Sequence, residues 1–180
     1  ALPQSAVVGD RLSARRVVAS SGGRQVVTDY VAWLALTPER FAAGEPLLSE
    51  LSILHLNSPG SLSALEGAST AFTPLAATSE EGTLLAVEQI AQQPDPVSLL
   101  AAYRPEGRQT VIARVAGPAE SAFPDGPPAT LDAIEAIDYP ALQAAHRAAG
   151  EIELIVAADS DMLFDESWLR ADQADDKAGR

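Results

Sequence analysis

Asp159, Asp161 and Asp165 are the residues whose type and spacing come nearest to a reaction centre. They follow the apolar run Ile152–Ala158, with Asp165 four positions after Asp161. In open α/β sheets, ligands bind beyond the carboxyl ends of the strands. Two or three carboxylates placed there could hold Mg²⁺ or Ca²⁺ through oxygen ligands and support a metal-dependent hydrolase or transferase. The competing reading is that Asp159 and Asp161 cap the turn leading into the next helix, since short carboxylates readily accept backbone N–H groups. Capping is the favoured reading, and no metal ligand is assigned. An Asp-x-Asp pair is also found in haloacid-dehalogenase phosphotransferases, but there further motifs follow it, and too little chain remains here.

Other nucleophiles and ligands lack their companions. His55 lies in an apolar stretch and His146 in an alanine-rich one, and neither has a second histidine at zinc spacing. Ser61, in Pro59-Gly60-Ser61-Leu62-Ser63, lacks the second glycine of a nucleophile elbow. Ser21-Gly22-Gly23-Arg24 fits neither phosphate-binding glycine pattern and reads as a hairpin turn, so no bound nucleotide is expected. Tyr30, Trp33, Phe123 and Trp168 could form a recognition surface, and exposed indoles at Trp33 and Trp168 would suit a carbohydrate-binding module. Packing is the favoured role for these aromatics. No catalytic residue and no cofactor are expected.

Composition narrows the partners. The 180 residues carry 12 basic and 25 acidic side chains, a net charge of −13. The pI is near 4.4. Nucleic acid and anionic membrane surfaces are disfavoured, because both demand a Lys/Arg surface. The absence of cysteine removes disulfides, thiolate catalysis and thiolate metal sites. No run approaches the roughly 20 apolar residues of a membrane span, and no signal peptide is recognised. Ala1 in place of an initiator Met suggests a piece of something longer.

The elements that must position these residues are mostly extended. Strands are expected at Ala6–Val8, ending at Gly9-Asp10, at Arg15–Ala19, at Gln25–Val31 leading into Trp33–Leu36, and at Ser52–Asn57, Thr70–Thr78 and Gln109–Ala116. Pro74 marks an edge or bulge. Thr37-Pro38 and Asp95-Pro96 read as helix starts, the second with an apolar face of Val97, Leu100 and Ala101. Residues 117–130 read as loop. Tyr139-Pro140 opens a helix through about Ala149, with Leu142, Ala145 and His146 on one face and Gly150 as its C-cap. Ile152–Ala158, apolar nearly throughout, suits a central strand covered on both faces. The polar stretch from Arg170 reads as a solvated tail.

These landmarks occur in an ordered series: Val7-Val8-Gly9-Asp10, Asp29-Tyr30-Val31-Ala32-Trp33, Ser58-Pro59-Gly60-Ser61, Phe72-Thr73-Pro74-Leu75, Ala122-Phe123-Pro124-Asp125-Gly126 and Ala158-Asp159-Ser160-Asp161. The series resembles the extracytoplasmic region of the GldG-like family, auxiliary components of gliding-motility-type ABC transport systems, over about residues 5–169. The resemblance implies a Rossmann-like or flavodoxin-like (class I glutamine-amidotransferase-like) α/β fold, a layered sheet with helices, present as an incomplete fragment. It further implies one extracytoplasmic domain over residues 1–169 with a flexible tail at 170–180, on the periplasmic side of the bacterial inner membrane. The full-length protein would be membrane-anchored, with ABC permease and ATPase subunits as partners and a non-catalytic binding role.

Overall fold

A computed structural model describes residues 5–91 and 94–164 of the chain. Their order is β1 (Ala6–Asp10), β2 (Ala14–Ser21), β3 (Arg24–Leu36), β4 (Leu54–Asn57), β5 (Ala71–Ala77), β6 (Gly82–Ala86), α1 (Pro96–Ala102), β7 (Thr110–Glu120), α2 (Tyr139–Ala145) and β8 (Ala149–Ala157). The strands form three sheets, ordered β1-β6, β2-β3-β4 and β5-β7-β8.

The expected Rossmann-like α/β layering is overturned, because the sheets are antiparallel. A parallel sheet needs crossovers of a dozen or more residues, usually helical. The two α-helices among the described residues have seven residues each. Proline and glycine recur through the connections and limit helix growth. β2 and β3 are closed instead by Gly22-Gly23, whose φ values of 56° and 76° suit a two-residue hairpin turn that residues with a Cβ resist.

The described chain falls into two compact units. One lies within Ala1–Ser63, Pro74–Ala113 and Val156–Arg180, the other within Ala64–Thr73 and Arg114–Ile155. The first holds two apolar clusters. One joins Val8, Leu34, Leu36, Leu54, Leu56, Leu75 and Val111. The other joins Tyr30, Val31 and Ala32 of β3 with Leu85, and with Leu99 and Tyr103 at α1. Asp95 caps α1, accepting from the N–H groups of Val97 and Ser98, as its place before Pro96 implies. The residue α1 buries is Leu99; Ala101, expected on the apolar face, is exposed.

The second unit has a different character. None of its described residues is buried. β7 extends through Pro118 to Glu120, into the stretch expected as loop. α2 ends at Ala145 with Leu142 43% exposed, and Gly150 lies inside β8 rather than capping a helix. β8 is an edge strand, not a central one, with Leu154 and Ile155 exposed on its two faces. Its apolar run records composition, whereas burial depends on what packs against it.

Candidate functional site

The strand-end aspartates form a turn. Asp159 is half-buried just beyond β8. Its Oδ1 accepts the Asp161 N–H at 2.8 Å and its Oδ2 accepts the Asn57 N–H at 2.7 Å. Asp161 starts a 3-10 turn through Leu163. Burial pushes the Asp159 carboxyl upward from its ordinary pKa, against the pull of backbone donors at Asn57, Asp161 and Met162. Oδ1 thus closes the turn and Oδ2 ties it to the end of β4; the expected helix is a three-residue 3-10 turn whose N-cap, Ser160, makes no side-chain capping bond. Asp165, Trp168 and the tail at 170–180 lie outside the described residues. Among the described residues no group of three or more His, Asp or Glu side chains is placed to hold a metal ion.

The other candidates take structural positions. Ser61 is buried and donates to Gln109 Oε1 at 3.1 Å. His55 sits in β4, where burial and then the charge of Arg15 lower its pKa; its buried Nδ1 meets no partner. His146 places Nε2 at 3.4 Å from the Pro124 carbonyl in the second unit. Phe123, also in that unit, is half-exposed.

Tyr30 and Trp33 do come together, with ring centroids 5.3 Å apart at 58°. The Arg15 guanidinium lies 5.5 Å from the centre of the Trp33 ring, in cation–π range. The same guanidinium donates to Asn57 Oδ1 at 3.1 Å. Arg15 is thus held from both sides, and through Asn57 it is linked to Asp159. Beside these rings runs a groove of about 640 Å³, lined by residues 17–20 of β2, Tyr30, Trp33 and residues 94–96.

A carboxylate that sequence reasoning passed over is the most deeply buried among the described residues. Asp10, at the end of β1, is fully buried. Its Oδ1 accepts from the Leu12 N–H at 3.0 Å and Ser79 Oγ at 2.6 Å. Its Oδ2 accepts from Ser13 Oγ at 2.7 Å and the Ser79 N–H at 2.8 Å. Nearby, Tyr103 donates its hydroxyl to the Glu81 carbonyl at 2.5 Å, and burial followed by the Asp10 charge pushes its phenol pKa upward. The Asp10-x-x-Ser13 spacing after an apolar strand is the local signal that could have revealed this turn. Its partner Ser79, 69 residues away, gives no local signal.

Both oxygens of Asp10 and both of Asp159 accept hydrogen bonds from the protein, and among the described residues neither carboxylate is hydrogen-bonded to a histidine, lysine or arginine. A family model described as ABC-type uncharacterized transport system, auxiliary, matches residues 2–179 of the chain. No curated protein and no solved structure matches.

Proposed function

From the premise that the chain belongs to this family of ABC-type transport-system auxiliary components, we propose that it is a non-catalytic extracytoplasmic domain that works by binding protein. Its partners in this reading are the permease and ATPase subunits of the same system. The full-length protein is anchored to the inner membrane with this domain on the periplasmic side. The narrower placement among gliding-motility-type, GldG-like systems rests on the ordered landmarks from Val7 to Asp161.

The observation that carries the binding role is the unfinished packing of the second unit. It has no buried residue among those described, and Phe123, Ile134, Leu142, Leu154 and Ile155 stand exposed. Burying apolar surface is worth about 25 cal/mol per Å², so a partner that covers these side chains supplies the stabilisation the unit lacks. No helix among the described residues is long and apolar enough to cross a membrane.

The test is affinity capture of the full-length protein from detergent-solubilised membranes of cells that also make its ABC subunits. Permease and ATPase should co-elute with the unaltered protein. Leu154→Glu with Ile155→Glu should strongly reduce their recovery while leaving the first unit folded. Failure of the unaltered protein to retain any ABC subunit would end the proposal.

A further inference from the structure

We propose that the outer edge of β2 is a docking site for an extended, acidic segment of a partner protein, which adds to the β2-β3-β4 sheet as a further strand. This inference goes beyond the transporter reading and does not depend on which protein supplies the segment.

Register decides which backbone groups of β2 face outward. The two-residue turn makes Ser21 and Arg24 the closing pair, bonded to each other. Bonded pairs then recur at alternate positions, at Ala19↔Val26 and Val17↔Thr28. Arg16, Val18 and Ser20 occupy the intervening positions, so their N–H and C=O groups point away from β3. β2 is an outer strand of its sheet, and among the described residues no backbone hydrogen bond reaches that edge. A strand of eight residues with such an open edge is a ready template for pairing.

The surroundings suit an extended chain. The groove beside β2 is lined by the aromatic residues Tyr30 and Trp33 and by residues 94–96, two of them prolines. Val18 and Val27 face each other across the hairpin at 66% and 60% exposure, an apolar pair left open to solvent.

Charge selects the occupant. β2 and β3 together hold Arg15, Arg16 and Arg24 against Asp29, a net of +2 in a chain of net −13. The groove's own carboxylate, Asp95, is turned to α1, accepting from the N–H groups of Val97 and Ser98 and from Ser98 Oγ. A second copy pairing β2 with β2 would set two hairpins of net +2 beside each other. The same arginines that discourage that self-association attract an acidic strand.

Two peptide probes of the length of β2 test this on the whole chain, one alternating Glu with Val and one alternating Lys with Val. The Glu/Val peptide should protect the Arg16, Val18 and Ser20 amides from hydrogen exchange by roughly tenfold and shift Trp33 fluorescence, and the Lys/Val peptide should do neither. Val18→Pro removes an outward N–H but no rung to β3, and should abolish the protection. If circular dichroism shows Val18→Pro misfolded, Arg16→Glu with Arg24→Glu serves instead and should weaken binding by about tenfold. Equal protection by both peptides, protection mapping to another strand, or a doubled mass by light scattering that accounts for the protection would each overturn the proposal. Peptide docking without co-eluting ABC subunits would leave this inference standing and remove the transporter pairing. Co-elution without docking would remove this inference alone.

Discussion

Replacing Asp10 with alanine removes the acceptor for four donors at once: the N–H groups of Leu12 and Ser79 and the hydroxyls of Ser13 and Ser79. A buried donor left unsatisfied costs about 1–3 kcal/mol. The two hydroxyls can rotate toward other acceptors, so their share is small. The Ser79 N–H is fixed and buried, and the Leu12 N–H is fixed and partly buried, so these two dominate. Together with the cavity left in a fully buried position, the loss comes to about 3–5 kcal/mol. A domain of this size is stable by about 5–15 kcal/mol and loses roughly 2–4 °C of melting temperature per kcal/mol. Asp10→Ala should therefore melt about 10 °C lower, or fail to fold. Asp10→Asn should fall between the two proteins, because one oxygen remains while its amide meets two donors head-on. Calorimetry and urea titration of the three proteins measure this. If Asp10→Ala melts within about 2 °C of the unaltered protein, the four bonds do not hold this turn in place.

Two further changes probe the same unit. A Cβ at Gly82 would collide with Thr78 Oγ1 and lie 2.7 Å from the Gly107 carbonyl oxygen, which cannot swing aside. Gly82→Ala should thus cost about 1–3 kcal/mol in urea titration, and an unchanged midpoint would refute the close approach. Asp159 carries a raised pKa, chiefly through burial, so the folded state holds its proton more tightly than the unfolded chain does. Its contribution is full below the unfolded pKa and declines as pH rises through the folded one. Asp159→Asn cannot titrate, so the stability difference, unaltered protein minus variant, should fall as pH increases from about 4. A difference that rises with pH would reverse the assigned sign.

Local chemistry was legible in the sequence and long-range pairing was not. Gly22-Gly23 announced a hairpin because the turn itself requires positive φ, and the structure closes β2 on β3 there. Asp95-Pro96 announced a capped helix because cap and first turn are adjacent in the chain. Pro74 lies in β5, at the edge of its sheet, where a missing N–H does no harm. By contrast, β1 pairs with β6, joining Ala6 to Ala86, and nothing near either strand specifies the other. The run Ile152–Ala158 misled for a related reason. Apolar composition points to cover on both faces, yet β8 lies at a sheet edge with Leu154 52% exposed. The Asp159 turn was foreseen as a cap, but its second bond, to the Asn57 N–H, joins residues 102 apart.

Those two distant carboxylate contacts give the β2 edge its rigidity. Asp10 fixes Leu12 and Ser13, the residues that lead directly into β2 at Ala14. Gly22-Gly23 closes the other end of the strand. Asp159 holds the Asn57 backbone, and the Asn57 side chain holds the Arg15 guanidinium beside Trp33. β2 is therefore extended, and its aromatic neighbour oriented, before any partner arrives. A strand that must order on binding gives up about 1–2 kcal/mol per residue in backbone entropy. On this edge only the incoming segment bears that cost, and preorganisation of this kind turns a modest contact area into useful affinity. It follows that Asp159→Asn, far from the groove in sequence, should weaken peptide docking through Arg15 even where the fold persists.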